Sequence, residues 1–201
     1  MTIVELAADC SLDDLLADRR RRGADRYDYQ VGDRYIMAPL ARFRHQGLAT
    51  RIGAAALPLA ESISLTWYVG GNLGRLDHDV EGKPWYVVPD GLLLAEVEGD
   101  PAAVLSTVAA LEIRSPSEDI DAKMADYRLV ARKVGLEVGE VWYVLAEDRQ
   151  IRLYLTPTTS AEFTVVQRGE PTASAHPQIL TAILDLAEFG APPTASQYSP
   201  H

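Results

Sequence analysis

Residues Val108 to Tyr127 read VAALEIRSPSEDIDAKMADY, and the order of signals within them decides the fold. Val108 to Arg114 is a short, largely apolar run, which predicts a buried strand. Ser115-Pro116-Ser117 breaks that run, and Ser117 or Asp119 can cap a helix that reaches Val134 and stops at Gly135. Glu112 is the only charge between Val108 and Ile113, and a buried carboxylate needs a partner such as a metal or a lysine. Asp119, Lys123 and Tyr127 then follow at four-residue steps, so they share one helix face.

Upstream, Tyr27 to Val31 and Tyr35 to Ala38 flank Gly32-Asp33, a hairpin signal. Ser11 with Asp14 resembles a capping arrangement for a short helix that carries Arg19 to Arg22 at its C-terminal end and stops at Gly23, where the helix dipole favours cations. From Arg44 to Glu61, apolar residues recur at helical spacing, with Pro58 expected to end or kink the helix. Ser64 to Val69, Trp85 to Val88 and Leu92 to Val97 read as strands. So do Val141 to Leu145, Ile151 to Leu155 and Phe163 to Gln167, before a last helix across Ile179 to Phe189. This order predicts an α/β (α+β) domain with a mixed sheet. At roughly 150 residues per domain, 201 residues give one domain over 1–190 and an expected mobile tail over 191–201.

With 47% hydrophobic and 24% charged residues, the composition excludes collagen, coiled coil and wholesale disorder. No apolar run reaches the roughly 18 residues of a bilayer span, and the N-terminus has no basic region before its apolar stretch, so the expectation is a cytoplasmic protein without membrane contact. The one cysteine, Cys10, excludes an intramolecular disulfide and a multi-cysteine zinc site. A net charge of −10 argues against a nonspecific nucleic-acid coat protein, though not against an enzyme with a local basic groove. The basic groups at Arg19 to Arg22, at Arg42, Arg44 and Arg51, and at Arg128, Arg132 and Lys133 have an ordinary account as solvated helix faces.

A second acid enters at Val88-Pro89-Asp90, a strand start. A carboxylate where one strand begins and another where its neighbour ends can meet at a sheet edge and offer hard oxygens to Mg²⁺ or Mn²⁺. Lys123 could add an ammonium beside that cation, a combination suited to phosphodiester hydrolysis. Each piece also has a plain structural account. Pro89-Asp90-Gly91 is a turn tripeptide, Asp119 and Lys123 form a routine helix pair, and Asp77-His78-Asp79 reads as a polar hairpin tip.

Taken in order, these motifs resemble the Uma-two family of candidate restriction endonucleases, within the PD-(D/E)xK nuclease superfamily, from about Leu12 to Phe189. The resemblance rests on Tyr27-Asp28 before Gly32, Met37-Ala38-Pro39, His45 opening a helix, Val88-Pro89-Asp90, Leu111-Glu112-Ile113 running into Ser115-Pro116-Ser117, the Asp119, Lys123, Tyr127 ladder, and Gly139-Glu140-Val141-Trp142. It implies a restriction-endonuclease-like mixed β-sheet flanked by helices, and a Mg²⁺-dependent (or Mn²⁺-dependent) endonuclease acting on DNA. Asp90 and Glu112 would be its metal ligands and Lys123 its catalytic lysine, displaced onto the helix. Two departures matter. Arg114 stands where the superfamily's usual lysine lies, and arginine cannot serve as a base; Asp28 stands where the family's first hairpin carries glutamate. His45 and Arg114 are candidate phosphate contacts, with Asp28, Asp119 and Tyr127 as accessory residues, and a homodimer is one assembly open to such a chain. The competing readings are a catalytically inactive nuclease-fold protein acting as an interaction or regulatory module, which the net charge favours, and a different phosphoester hydrolase using the same metal.

Overall fold

The computed structural model describes residues 2–5, 28–31, 34–37, 43–95, 99, 102–114 and 118–186, with the backbone alone at 2–5, 28–31, 34–37, 43–44 and 78–79. In chain order the described elements are β1 (Thr2–Glu5), β2 (Asp28–Val31), β3 (Arg34–Met37), α1 (Phe43–Glu61), β4 (Thr66–Val69), β5 (Leu73–Val80), β6 (Lys83–Val87), β7 (Gly91–Leu94) and β8 (Ser106–Ile113). There follow α2 (Ile120–Val134), β9 (Glu137–Leu145), β10 (Gln150–Tyr154), β11 (Thr164–Gln167) and α3 (Pro177–Asp185). The strands form a six-stranded sheet ordered β11-β10-β9-β8-β7-β4 and a five-stranded sheet ordered β1-β3-β2-β6-β5. This is the expected mixed α/β architecture.

The pairing of β8 with β9 is parallel, with Ala110 opposite Val141 and Glu112 opposite Tyr143, while the other strand pairs are antiparallel. A parallel pair needs a crossover, and α2 supplies it. Its start is set by Asp119, whose carboxylate accepts the backbone N–H groups of Asp121 and Ala122 at 3.1 Å each. Its end is set by Gly135, which sits in the left-handed region at φ 72° and donates its N–H to the Ala131 carbonyl.

Strand alternation then divides the core. Leu93, Leu111, Ile113, Trp142 and Val144 face α1 and α3, meeting Leu48, Ile52, Ala56, Ile179, Leu180 and Ile183. On the other face, Ala110, Val141 and Tyr143 meet Met124, Tyr127 and Val130 of α2 together with Trp85 and Val87 of the smaller sheet. The central strands are therefore buried on both faces, which is why they read as nearly continuous apolar runs.

Several expectations need correction. Pro58 does not end α1. It lies in the last turn, where it costs one backbone hydrogen bond, and the helix continues to Glu61 with Ala56 and Ala60 fully buried behind it. Asp77, His78 and Asp79 are strand residues of β5 rather than a hairpin tip, near a break in the β5–β6 register. The turn itself is Glu81-Gly82. β5 and the short β1 carry too little apolar alternation to be read from sequence, and β9 begins four residues earlier than Val141. The expected helix from Ser11 to Gly23, Cys10, and the tail from 191 lie outside the described residues. Among the described residues, no helix is long and apolar enough to cross a membrane.

One buried carboxylate ties α3 to the sheet. Glu140, 5% exposed, accepts Trp142 Nε1–H and the Ser174 hydroxyl on Oε2 and the Ala175 N–H on Oε1, each at 2.6 Å. Charge-assisted bonds of this kind are roughly twice as strong as neutral ones, and deleting the acceptor leaves three donors short of a partner. Glu140→Ala should lower stability by about 3 kcal/mol, or about 10 °C in Tm at this chain length. Thermal unfolding of the variant at the wild-type temperature would show that the network carries no such weight.

Candidate active site

The candidate site forms where β7 begins, β8 ends and α1 and α2 start. Asp90 immediately precedes β7, and Gly91 must follow it, because a side chain there would strike the indole of Trp67. The Asp90 carboxylate is held at both oxygens. Oδ2 accepts the Ile113 N–H at 2.7 Å, which brings it to the end of β8, and Oδ1 is 2.8 Å from His45 Nε2 in the first turn of α1. The hydrogen bond to Asp90 is the main reason the His45 pKa is raised, against a lowering by burial, with the charges of Asp90, Glu118 and Glu112 adding to the rise.

Glu112 is one residue from that contact and only 3% exposed. Its Oε1 accepts the Tyr127 hydroxyl at 2.7 Å and lies 3.3 Å from Lys123 Nζ, which also donates to the Val88 carbonyl at 3.1 Å. Lys123 and Tyr127, four residues apart on α2, thus converge on one carboxylate oxygen. Burial is the chief cause that pushes the Glu112 pKa up to about 8. Lys123 and the Tyr127 hydrogen bond pull it down, and the charges of Asp90 and Glu118 push it up.

Two residues of this cluster were not anticipated. Glu118, half-buried just before the α2 cap, adds a third negative charge that bears on His45, Glu112 and Tyr143. Tyr143 is fully buried on the same sheet face as its register partner Glu112, and burial with the surrounding carboxylates holds its phenol protonated. Only the β8–β9 register identifies Tyr143. Glu118 had a visible signal in its acidic neighbour Asp119, but nothing local distinguished it.

The remaining candidates fall elsewhere. Asp119 is spent on capping α2 and does not pair with Lys123, so the routine helix pair is absent. Arg114 is exposed and lies 4.0 Å from Asp148 in the β9–β10 turn, outside the Glu112 cluster. Asp28 opens β2, but its side chain lies outside the described residues.

The donor set suits a hard divalent cation. The buried Glu112 carboxyl and the Asp90 carboxylate held one residue away offer acceptor oxygens, and a cation would offset the cost of ionising Glu112 in its buried place. Among the described residues, no three His, Cys, Asp or Glu side chains converge as a metal-binding group. Asp90 and Glu112 are the two carboxylates at this strand end that could contribute to holding such an ion. That is compatible with Mg²⁺, which commonly takes one or two carboxylates and completes its shell with water and phosphate oxygens.

No family model matches this chain, and no curated protein matches it. Among solved structures, one of a candidate nuclease belonging to DUF820 from Anabaena variabilis superposes with a TM-score of 0.54 at 12% sequence identity, covering 74% of this chain and 85% of that one. At that identity the likeness is one of fold, and the fold shared is the mixed α/β, nuclease-like architecture described above.

Proposed function

We propose that this chain is a Uma-two-type, divalent-metal-dependent endonuclease that hydrolyses DNA phosphodiester bonds, with Asp90 and Glu112 holding Mg²⁺ or Mn²⁺ and Lys123 as the catalytic cation. The observation that carries this reading is the buried contact of Lys123 Nζ with Glu112 Oε1 at 3.3 Å, beside an Asp90 carboxylate anchored to the same strand end. The nuclease-like fold supports it. When bound, the metal supplies a Lewis acid that lowers the pKa of water and offsets charge on the phosphorane-like transition state.

The protein's own groups have distinct tasks in this scheme. Asp90, fixed by the Ile113 N–H and His45, presents its carboxylate in one orientation and so costs little reorganisation. Lys123, anchored by Val88, keeps a positive charge in a buried setting where it acts more strongly than at the surface, and orients the attacking water. His45, its pKa raised chiefly by its hydrogen bond to Asp90, is favoured toward the protonated form that an incoming phosphate would meet.

Three outcomes are expected. First, wild type should nick supercoiled plasmid in Mg²⁺ or Mn²⁺, and Lys123→Met, which keeps the stem and removes the charge, should lose about 10²-fold or more of that rate. Undiminished nicking by Lys123→Met would remove the catalytic role from this lysine. An inert wild type that still binds Mn²⁺ would favour the interaction-module reading.

Second, the melting temperature of wild type should climb with Mn²⁺, by the equivalent of about 2.7 kcal/mol at a hundredfold excess over Kd, whereas Asp90→Asn should gain little. Equal shifts in both proteins would mean that Asp90 is not a ligand.

Third, without metal the folded protein keeps the Glu112 proton up to about pH 8, while the unfolded chain releases it in the ordinary carboxylate range. The native state then binds more protons than the unfolded state, so stability falls as pH rises between those values, by up to about 1.4 kcal/mol per pH unit. The raised His45 pKa acts in the same direction above 6.5. Urea unfolding across pH 5–8 should show a shallower fall for Glu112→Gln, and for wild type loaded with Mn²⁺. Parallel profiles for wild type and Glu112→Gln would contradict the raised pKa.

A further inference from the structure

Glu112 uses its two oxygens unequally. Both described partners, the Tyr127 hydroxyl at 2.7 Å and Lys123 Nζ at 3.3 Å, lie on Oε1, and Oε2 makes no hydrogen bond to a described residue. A carboxylate gripped at one oxygen by two donors from one rigid helix has its plane and rotamer fixed, with the second oxygen left for another ligand. Tyr127 is fully buried in the same apolar cluster as Met124, Val130 and Val138, where a phenylalanine ring would fill the same space, so the hydroxyl is not needed to fill the core. We infer that Tyr127 is a positioning residue: through its hydroxyl it orients Glu112 so that Oε2 is the oxygen presented to a divalent cation. This rests on the metal-site reading above and assigns Tyr127 a task within it.

Groups that orient a metal ligand typically contribute 10–100-fold to metal affinity without touching the metal. The test is the affinity of the full chain for Mn²⁺ alone, by calorimetry and by the electron paramagnetic resonance signal of free Mn²⁺. Compared with wild type would be Tyr127→Phe, Glu112→Gln, their double variant, and Tyr154→Phe. The last removes another buried phenol hydroxyl, on β10, that no hydrogen bond joins to Glu112 or Lys123. Tyr127→Phe should bind Mn²⁺ about 10–100-fold more weakly, Tyr154→Phe should match wild type, and Tyr127→Phe should change affinity less than twofold in the Glu112→Gln background, because its effect passes through that carboxylate.

Thermal melting of each variant checks that it folds. Should Tyr127→Phe fail to fold, Tyr127→Met supplies the same readout without a hydroxyl. If wild type binds Mn²⁺, Glu112→Gln binds it more weakly and Tyr127→Phe binds as wild type does, the positioning role is overturned while the metal site stands. Equal weakening by Tyr154→Phe overturns it too, as a general effect of deleting a buried hydroxyl. No Mn²⁺ binding by wild type overturns both the site and the role of Tyr127.

Discussion

Glu112 stands on a strand that is covered on both faces, and an ionised carboxylate in such a place is costly unless something compensates it. The compensation comes from a single helix. Lys123 and Tyr127 lie one turn apart on α2 and reach the same oxygen, so the placement of α2 against β8 determines whether this acid can be tolerated. That placement follows from the crossover. Asp119 starts the helix, Gly135 ends it, and β9 returns parallel to β8, so the helix is held over the face from which Glu112 emerges. Compensation is incomplete, as the pKa near 8 records, and an incompletely neutralised buried acid is a recurrent mark of functional sites.

Asp90 shows the opposite strategy. It is partly exposed and is held by a backbone N–H and a histidine instead of by burial and a lysine. Desolvation raises the Glu112 pKa more than the nearby charge of Asp90 does. β7 starts where β8 stops, so the Asp90 carboxylate meets the β8 backbone at Ile113, one residue from Glu112.

What could be read in the sequence, and what could not, divides along sequence distance. The strand, break, cap and helix from Val108 to Val134 are local signals, and Lys123 lies only eleven residues beyond Glu112, so their association was legible from spacing on one helix. The His45–Asp90 contact spans 45 residues and depends on α1 packing across the sheet, which no local pattern reports. Tyr143 entered the cluster only through the parallel register that sets it opposite Glu112; shifting that register by one residue would turn it to the other face. β5 was hidden for a related reason. A strand whose sequence is LGRLDHDV has little apolar alternation, and it is held instead by its pairing with β6. Pro58 shows packing overriding a local rule, since Ala56 and Ala60 bury on either side of it.

The net charge of −10 describes the whole surface, and the local balance at the site differs from it. The charges of Asp90 and Glu118 bear on both Glu112 and His45 there, and that of Lys123 bears on Glu112. The raised pKa of Glu112 removes one negative charge near neutrality when no cation is present, and that of His45 favours a positive one. Proton uptake therefore does part of what a divalent cation would do, and such a cation would have to compete with protons for the same oxygens. A protein that needed only a neutral core at this position could have placed an apolar residue there at lower cost. The presence of Glu112, gripped on Oε1 and with no described hydrogen bond on Oε2, is the feature of this fold that packing alone does not explain.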